Sequence, residues 1–211
     1  MPNQPQKAQP VCCAVILAGG RNTRMDGRNK AFLEVGGKTI LDRLIETLQL
    51  FFIEILLVTR SPELYAQYPV RIVQDIYPAR ASLTGVHAGL AHAVADYAFV
   101  VPCDTPFLKP ELIRMLLAEI EPEVDVIVPM VNGYYEPLCA IYSKRCLGPI
   151  EAQLDRGDYK ISRIFDRVRL KTIPVEKIKA ADARLDSFFN VNTPAALKAS
   201  RDFEKQSDDQ G

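Results

Sequence analysis

The sequence predicts a mainly parallel α/β domain, and three observations support this prediction. Short apolar runs alternate with segments in which apolar residues recur at helical spacing, a pattern typical of parallel strands joined by helices. The chain has 211 residues, a length that suits one domain with a single sizeable core. Its composition, 48% hydrophobic and 25% charged, is ordinary for a globular protein. We therefore expect one domain over residues 11–204, with a disordered lead-in at 1–10 and a frayed tail at 205–211.

The first half of the chain shows the alternation clearly. The apolar run Val11 to Leu17 predicts a buried first strand. Gly36-Gly37 predicts a turn, and Thr39 is the expected N-cap of a helix that continues to about Leu50. The same patterns predict a strand over Glu54 to Thr59, a short helix begun by the capping Ser61 and Pro62, a strand over Arg71 to Val73, a small-residue helix over Leu83 to Val94, and a strand over Tyr97 to Val101.

An antiparallel excursion interrupts the alternation in the second half. Asn132-Gly133 is a turn signal between Met130-Val131 and the apolar run Leu138 to Tyr142, which predicts a hairpin. The other expected elements are a helix over Pro110 to Glu119, a strand over Val124 to Val128, a helix capped by Ser143 and ending at Leu154, an edge strand over Leu170 to Pro174, and a last helix begun by Thr193-Pro194.

The loop after the first strand is the most informative segment for function. Its adjacent glycines, Gly19 and Gly20, let the backbone approach a ligand closely and point N–H groups at it. Arg24 and Lys30 supply positive charge for phosphate. A loop at the carboxyl end of a first strand is where α/β sheets bind nucleotides. We therefore expect a nucleotide phosphate group here.

Two common phosphate-binding motifs do not fit this chain. Gly19-Gly20 followed by Arg21 does not give the G-x-G-x-x-G fingerprint of dinucleotide-binding proteins. Gly37-Lys38-Thr39 resembles the end of a Walker A loop, but Phe32 stands where that loop requires glycine. The glycine-rich loop therefore belongs to another class of nucleotide-binding protein.

Charge and cysteine content exclude several other classes. The 26 basic and 26 acidic residues balance, whereas a general nucleic-acid binder would show a basic excess. The five cysteines form no Cys-x-x-Cys pair and are joined by only two histidines, so a structural zinc site is not expected. Their odd number without framework spacing favours a reducing compartment. Because the chain shows neither a signal-peptide core nor an apolar run of membrane-spanning length, the expected location is cytoplasmic and away from the membrane.

Four segments of the chain carry distinctive motifs, namely Leu17–Lys30, Val101–Phe107, Tyr135–Tyr142 and Phe189–Pro194. Taken in this order, they resemble the motifs of the molybdenum cofactor guanylyltransferase (MobA) family and, more distantly, of sugar-nucleotide pyrophosphorylases. The segment from Leu17 to Lys30 is similar to the family signature L-A-G-G-x-x-x-R-M-x-G-x-x-K. Val101–Phe107 resembles the metal-binding aspartate loop of the family. Tyr135–Tyr142 resembles its E-P-L segment, and Phe189–Pro194 resembles its N-x-N-T-P motif. The resemblance implies a single-domain, Rossmann-like, three-layer α/β/α nucleotidyltransferase fold.

The resemblance also implies roles for individual residues. Lys30 and Arg24 are the implied catalytic cations beside the phosphates, and Asp104 is the implied ligand of Mg²⁺ as well as a catalytic residue. A carboxylate at the carboxyl end of a strand suits such a hard cation. The implied nucleotide contacts are Leu17, Ala18, Gly19, Gly20, Arg24, Lys30, Asp75, Gly85 and Asp104, and the implied acceptor contacts are Glu136, Asn190 and Asn192.

The reaction implied by the resemblance joins GMP from GTP to the phosphate of the molybdopterin cofactor and releases pyrophosphate. Molybdoenzymes or cofactor-delivery proteins are the implied partners. The alternatives are a cytidylyltransferase for the same cofactor, transfer to a sugar or polyol phosphate, and a nucleotide-binding regulatory or chaperone module without catalysis. Gly19 favours guanine, because cytidylyl relatives tend to carry Ala-Gly where this chain has Gly19-Gly20.

Some positions depart from the family pattern, and others carry no assignment. The segment Ala81 to Gly85 lacks the first glycine and the proline of the usual G-P-L-x-G. Asn29 stands where aspartate is common, and Thr59 lies near a position that often holds a base-contacting asparagine. These departures make the choice of base less secure than the class of reaction. The roles left open are those of Tyr134, Tyr135, His87 and His92.

Overall fold

A computed structural model describes residues 12–19, 29–191 and 196–198. Its strands are β1 (Cys12–Leu17), β2 (Glu34–Val35), β3 (Lys38–Thr39), β4 (Ile55–Val58), β5 (Arg71–Val73), β6 (Tyr97–Pro102), β7 (Val126–Val131), β8 (Tyr134–Tyr135), β9 (Ala140–Ser143) and β10 (Leu170–Ile173). Its helices are α1 (Ile40–Gln49), α2 (Ser82–His92), α3 (Pro110–Ala118), α4 (Leu147–Leu154) and α5 (Val175–Ala181). The expected lead-in, tail and Thr193-Pro194 helix start lie outside the described residues.

The described strands form one large sheet in the order β10-β7-β9-β6-β1-β4-β5, with β8 paired to β7 and β2-β3 as a separate small ribbon. Strand β1 runs parallel to both β4 and β6, so that Leu17 lies beside Val58 on one side and Pro102 on the other. Strand β9 is antiparallel to both β6 and β7. The predicted mainly parallel sheet with a small antiparallel excursion is confirmed.

Side chains of the central strands alternate between two apolar cores, one on each face of the sheet. Ala14 and Ile16 pack in the core that contains the apolar residues of α1, α3 and α5. Cys13 and Val15 pack in the opposite core with α2 and α4. Since successive residues of a strand point to opposite faces, a strand covered on both sides is apolar throughout. The chain therefore has the three-layer α/β/α arrangement.

Local signals explain most of the turns and helix ends. Gly36 and Gly37 have φ of +58° and +76°, which confirms the predicted turn. Thr39 caps α1 by accepting a 3.0 Å hydrogen bond from the backbone N–H of Asp42. Asn132 and Gly133, with φ of +52° and +81°, connect β7 and β8 as the expected hairpin. Sequence patterns of two or three residues therefore fix these connections.

Several expectations about element ends were wrong. Ser61 precedes the short 3₁₀ helix Pro62–Tyr65 but makes no side-chain cap bond to it. The backbone N–H of Ser61 donates a hydrogen bond to the hydroxyl of Thr59. Ser143 caps a 3₁₀ turn, Lys144–Cys146, that precedes α4. The strand expected to end at Val128 continues to Val131. The sequence patterns also did not predict α5 or the 3₁₀ segment Ile161–Arg167.

Two further features concern the whole of the described chain. None of its helices combines the length and the apolar character needed to span a membrane. All five cysteines lie in the described ranges and carry free thiols. Cys13, Cys139 and Cys146 are buried, whereas Cys12 and Cys103 are partly buried. Burial raises the pKa of the Cys103 thiol to about 12, so this side chain is uncharged at neutral pH.

Candidate active site

A cleft of about 380 Å³ opens at the carboxyl ends of β1, β4 and β6. The chain passes from β1 outwards through β4 and β5 and then returns to β6 on the other side of β1. Parallel sheets bind ligands at such a reversal of strand order. Segments far apart in the sequence line the cleft, through Leu17, Ala18, Gly19, Asn29, Lys30, Val58, Asp75, Arg80, Ala81, Ser82, Gly85, Pro102, Cys103, Asp104, Leu138 and Asn190.

Lys30 enters the cleft from the first turn of a short 3₁₀ helix. Asn29 caps this helix, since its side-chain oxygen accepts a 3.1 Å hydrogen bond from the N–H of Ala31. The Asn29 amide nitrogen donates a 2.7 Å hydrogen bond to the hydroxyl of the buried Tyr65. This link anchors the start of the turn to the core beside α1. These two hydrogen bonds of Asn29 therefore hold the backbone at Lys30 in place.

Asp104 lies just beyond β6 and faces Lys30. The Nζ atom of Lys30 is 3.4 Å from Oδ2 of Asp104, and both side chains are largely buried. Burial raises the pKa of the Asp104 carboxyl, while the charge of Lys30 and its hydrogen bond act in the opposite direction. The charged form of Asp104, which burial disfavours, is therefore stabilised by the neighbouring positive charge of Lys30 in the cleft.

Asn190 joins Asp104 from the carboxyl-terminal part of the chain. The N–H of Val191 donates a 2.9 Å hydrogen bond to the carbonyl oxygen of Asp104. The hydroxyl of Thr105 donates a 3.0 Å hydrogen bond to Oδ1 of Asn190. The N-x-N-T-P segment and the aspartate loop therefore meet at the same wall of the cleft. Asn192, like Gly20 and Arg24, lies outside the described residues.

Asp75 and Gly85 lie on the opposite wall, near the first loop. A Cβ built on Gly19 would lie 3.7 Å from Oδ2 of Asp75, so this carboxylate reaches the backbone of the loop after β1. A Cβ on Gly85 would lie 3.0 Å from Cδ2 of Leu17, so a larger residue there would require the Leu17 side chain to move by a few tenths of an ångström. Both predicted positions therefore border the cleft beside the glycine-rich loop.

Sequence reasoning missed three residues that shape this site. Arg60 follows β4 directly and forms a 2.9 Å ion pair with Asp75. Its position at the carboxyl end of a parallel strand was an available signal. Tyr65 was not recognisable, because its contact with Asn29 joins residues 36 positions apart. Arg80, which lines the cleft, is a second positive side chain that the motifs did not indicate.

The E-P-L segment reaches the cleft through Leu138, whereas Glu136 lies outside its lining. The Glu136 carboxyl is partly buried, and burial raises its pKa. Its N–H donates to the carbonyl of Pro129, which fixes the backbone after the hairpin. Tyr135, on the same hairpin, packs edge-on against Phe165. The structure thus places this segment beside the cleft without bringing Glu136 to Asp104.

Thr59 is not among the residues that line the cleft. It is buried, and its hydroxyl accepts the N–H of Ser61. His87 is also buried, 3.1 Å from Glu151 and edge-on to Tyr77, and its Nδ1 has no hydrogen-bond partner among the described residues. These residues support the walls behind the cleft rather than its surface.

The fold and the cleft define a nucleotidyltransferase, and comparison with known proteins supports the same class. The family model of the MobA-like NTP transferase domain matches residues 14–173. The molybdenum cofactor guanylyltransferase of Desulfosudis oleivorans is 40% identical over 194 residues, which cover 89% of this chain and 96% of that protein. A probable molybdenum cofactor guanylyltransferase of Clostridium perfringens is 33% identical over 184 residues, 85% of this chain and 91% of its own length.

A solved structure supports the assignment independently. Molybdopterin-guanine dinucleotide biosynthesis protein A from Archaeoglobus fulgidus superimposes with a TM-score of 0.79 at 29% identity, covering 92% of this chain and 98% of that one. The chain therefore belongs to the MobA-like NTP transferase domain family, as its four motifs predicted.

Proposed function

We propose that this protein transfers GMP from GTP to the terminal phosphate of the molybdopterin-bound molybdenum cofactor. The products are the molybdopterin guanine dinucleotide cofactor and pyrophosphate. The printed names of the relatives at up to 40% identity support this substrate pair. The observation that carries the proposal is the convergence of Lys30, Asp104 and Asn190 with the glycine-rich loop in one cleft at the strand reversal.

The proposed reaction requires no covalent enzyme intermediate, because the acceptor phosphate is itself a nucleophile. One of its oxygens attacks the α-phosphorus of GTP, and the bond from that phosphorus to the oxygen of the β-phosphate breaks. Pyrophosphate leaves with the electron pair of the broken bond. Catalysis then consists of holding the two substrates in line and stabilising negative charge on the phosphate oxygens.

The cleft offers a group for each of these tasks. Gly19 and Lys30 both line the cleft, and in the proposed complex the N–H of Gly19 and the charge of Lys30 would bind the triphosphate, with Arg24 adding positive charge from the same loop. Asp75 and Gly85 border the space for the nucleoside. Asn190, fixed by Thr105, would hold the acceptor phosphate beside Asp104, with Asn192 as its proposed partner. The nucleoside and the acceptor phosphate would then lie against different walls of the cleft.

The donor set at Asp104 fits Mg²⁺. This ion binds through one or two carboxylates, keeps several waters and bridges phosphates, so it needs no cluster of protein ligands. The described residues contain no group of three or more His, Cys, Asp or Glu side chains that could hold a metal. Asp104 would ligate the ion, and the amide oxygen of Asn190 lies on the same wall. When bound, Mg²⁺ supplies positive charge to the triphosphate.

The proposal extends to partners and location. Leu138 lines the same cleft as Asn190, so it would provide an apolar surface for the planar pterin, with Glu136 as a further proposed acceptor contact. Molybdoenzymes or cofactor-delivery proteins would exchange cofactor with the enzyme. Free thiols at all five cysteines agree with a reducing compartment such as the cytoplasm.

A competition among nucleotides tests the proposal. Purified protein is incubated with the molybdopterin cofactor, Mg²⁺ and a mixture of GTP, CTP, ATP and UTP at equal concentrations. The amount of each dinucleotide product is then measured. We expect guanine dinucleotide as the main product and no transfer with EDTA present. Faster transfer from CTP would assign the protein to cytidylyl transfer, an alternative kept open by the buried Thr59. Nucleotide binding without any transfer would indicate a regulatory module.

A further inference from the structure

The segment between β5 and α2 forms one wall of the cleft without regular secondary structure. It follows Val73 and contributes Asp75, Arg80 and Ala81 to the lining of the cleft. A wall of this kind needs external support, because its own backbone groups are not paired in a helix or sheet. Its contacts with the rest of the fold therefore decide how well the cleft is formed before a ligand binds.

Arg60 supplies this support from the end of β4. Its Nη2 atom donates to three successive carbonyl oxygens of the segment, at 3.0 Å to Tyr77, 3.0 Å to Pro78 and 2.6 Å to Ala79. Its Nε donates at 2.9 Å to Oδ2 of Asp75. One planar side chain thus fixes both the carboxylate and the backbone of the wall.

The surroundings of this contact show that it is built into the fold. The Asp75 side chain is only 8% exposed, so its charge depends on the guanidinium for compensation. Gly19 lies against the same carboxylate, which links the Arg60 contact to the glycine-rich loop. On its outer side the segment is held by Tyr77, whose ring packs edge-on against His87.

We propose that Arg60 is a positioning residue for nucleotide binding, which holds Asp75 and the segment 77–79 in the geometry that receives the nucleoside. Arg60 does not itself line the cleft, so it acts through these neighbours. The inference rests on the proposed nucleotidyl transfer. The groups at Lys30 and Asp104 lie on the other wall, so loss of Arg60 should weaken nucleotide binding and leave the chemical step largely intact.

The test compares Arg60→Ala and Arg60→Lys with the wild type and with Arg71→Ala. Arg71 is a matched control because it also joins a carboxylate, of Glu54, and a carbonyl, of His92, but lies outside the cleft. Calorimetry gives the Kd for GTP, transfer assays give KM and kcat, and thermal unfolding gives Tm. Wild-type titrations with all four nucleotides identify the preferred one.

Arg60→Ala is expected to raise Kd and KM at least tenfold while kcat stays within threefold of the wild-type value. The Kd and KM of Arg60→Lys should lie between those of the wild type and of Arg60→Ala, since one ammonium group cannot reach the carboxylate and three carbonyls together. Arg71→Ala should lower Tm without changing KM. Unchanged Kd and KM in folded Arg60→Ala, or a fall in kcat alone, would overturn the inference. If the alanine variant does not fold, the lysine variant decides by the same criteria.

The two proposals can fail separately. A wild-type preference for another nucleotide would refute the proposed GTP reaction, yet the Arg60 variants would still support the inference through their Kd for that nucleotide. Normal GTP transfer with unchanged binding in the Arg60 variants would refute only the role of Arg60.

Discussion

The Nζ atom of Lys30 lies 3.4 Å from the Oδ2 atom of Asp104, although 74 positions separate the two residues in the sequence. The pair joins the turn after the glycine-rich loop to the end of β6. Both side chains are largely buried, so neither charge is strongly screened by solvent. Opposite charges placed this way suit a site in which one group faces phosphate and the other faces a cation.

Replacement of Asp104 by alanine should abolish Mg²⁺-dependent transfer. We expect a loss of at least about a thousandfold in kcat, equivalent to ~4 kcal/mol, because no other carboxylate lines that wall among the described residues. The carbonyl that accepts from Val191 is backbone and persists in any variant, so the fold should survive. Transfer assays with thermal unfolding as control test this expectation. Near-normal kcat in folded Asp104→Ala would remove Asp104 from the proposed metal site.

Replacement of Lys30 by alanine should lower kcat more than it lowers affinity for GTP. A cation that stabilises charge developing in the transition state contributes mainly to the rate. We expect kcat to fall by about a hundredfold, ~2.7 kcal/mol, with a smaller change in Kd. Lys38→Ala is the control, since Lys38 pairs with Glu46 outside the cleft. Equal losses in kcat and affinity would instead make Lys30 an anchor of the bound nucleotide.

Asn190 should matter for the acceptor and little for GTP. Asn190→Ala removes an amide that Thr105 orients, and a hydrogen bond to a charged phosphate contributes about 1.5–3 kcal/mol. Transfer should therefore slow by about tenfold or more while Kd for GTP stays constant. Thr105→Val should reproduce part of the loss, and Thr105→Ser, which keeps the hydroxyl, should not. A parallel fall of GTP affinity would move Asn190 to the nucleotide wall.

The order of strands and helices was predictable because most elements carry complete local signals. Strand β1 is apolar on both faces, and α1 has both a capping threonine and a regular apolar stripe. The helix α5 was missed because it has only seven residues, of which three are charged and one is buried. An element this short derives its stability from packing against the sheet, which no local pattern reveals.

The site was predictable to the extent that its residues follow strands or belong to recognisable motifs. Lys30, Asp104 and Asn190 were identified in this way, and the structure brings them together. The supporting contact of Asn29 with Tyr65 depends on tertiary packing, so sequence reasoning could not find it. Glu136 was predicted from a motif but does not line the cleft. Motif resemblance alone does not reveal which residue of a segment faces the cleft.

Asp125 should stabilise the fold at neutral pH and lose this effect in acid. Burial raises its pKa, but hydrogen bonds from the N–H of Arg169 and the guanidinium of Arg145 outweigh this, so the pKa is lowered overall. A lowered pKa stabilises the folded state above the unfolded value of about 3.9, and this contribution is lost progressively as pH falls from there through the folded pKa. Asp125→Asn should therefore cost roughly 2 kcal/mol at pH 7.

Urea denaturation at pH 7 and pH 3 measures the effect of Asp125. The difference in unfolding free energy between wild type and Asp125→Asn should be smaller at pH 3 than at pH 7. Asp158→Asn is the control, because Asp158 pairs with Arg163 at the surface, where such pairs contribute little. A difference that is the same at both pH values would show that Asp125 acts through packing rather than charge.

Gly19→Ala should separate nucleotide recognition from folding. The nearest described atom to a Cβ at this position is Oδ2 of Asp75 at 3.7 Å, an ordinary contact distance, so the protein without ligand can accommodate a methyl group. A guanine lying against the loop backbone would meet that methyl group, whereas the smaller cytosine would not. We expect wild-type protein to prefer GTP over CTP by at least about tenfold, ~1.4 kcal/mol, and the variant to lose most of this preference while keeping its Tm.

Gly89→Ala provides the contrasting control for this prediction. A Cβ there would lie 2.5 Å from Cγ1 of Val15, where α2 packs on β1, so this variant should lower Tm without changing the ratio of GTP to CTP affinity in the folded fraction. Calorimetric titration of both variants with GTP and CTP measures the ratio. Tighter binding of CTP than GTP by the wild type would overturn the guanine preference, and an unchanged ratio in Gly19→Ala would place the base away from the loop backbone.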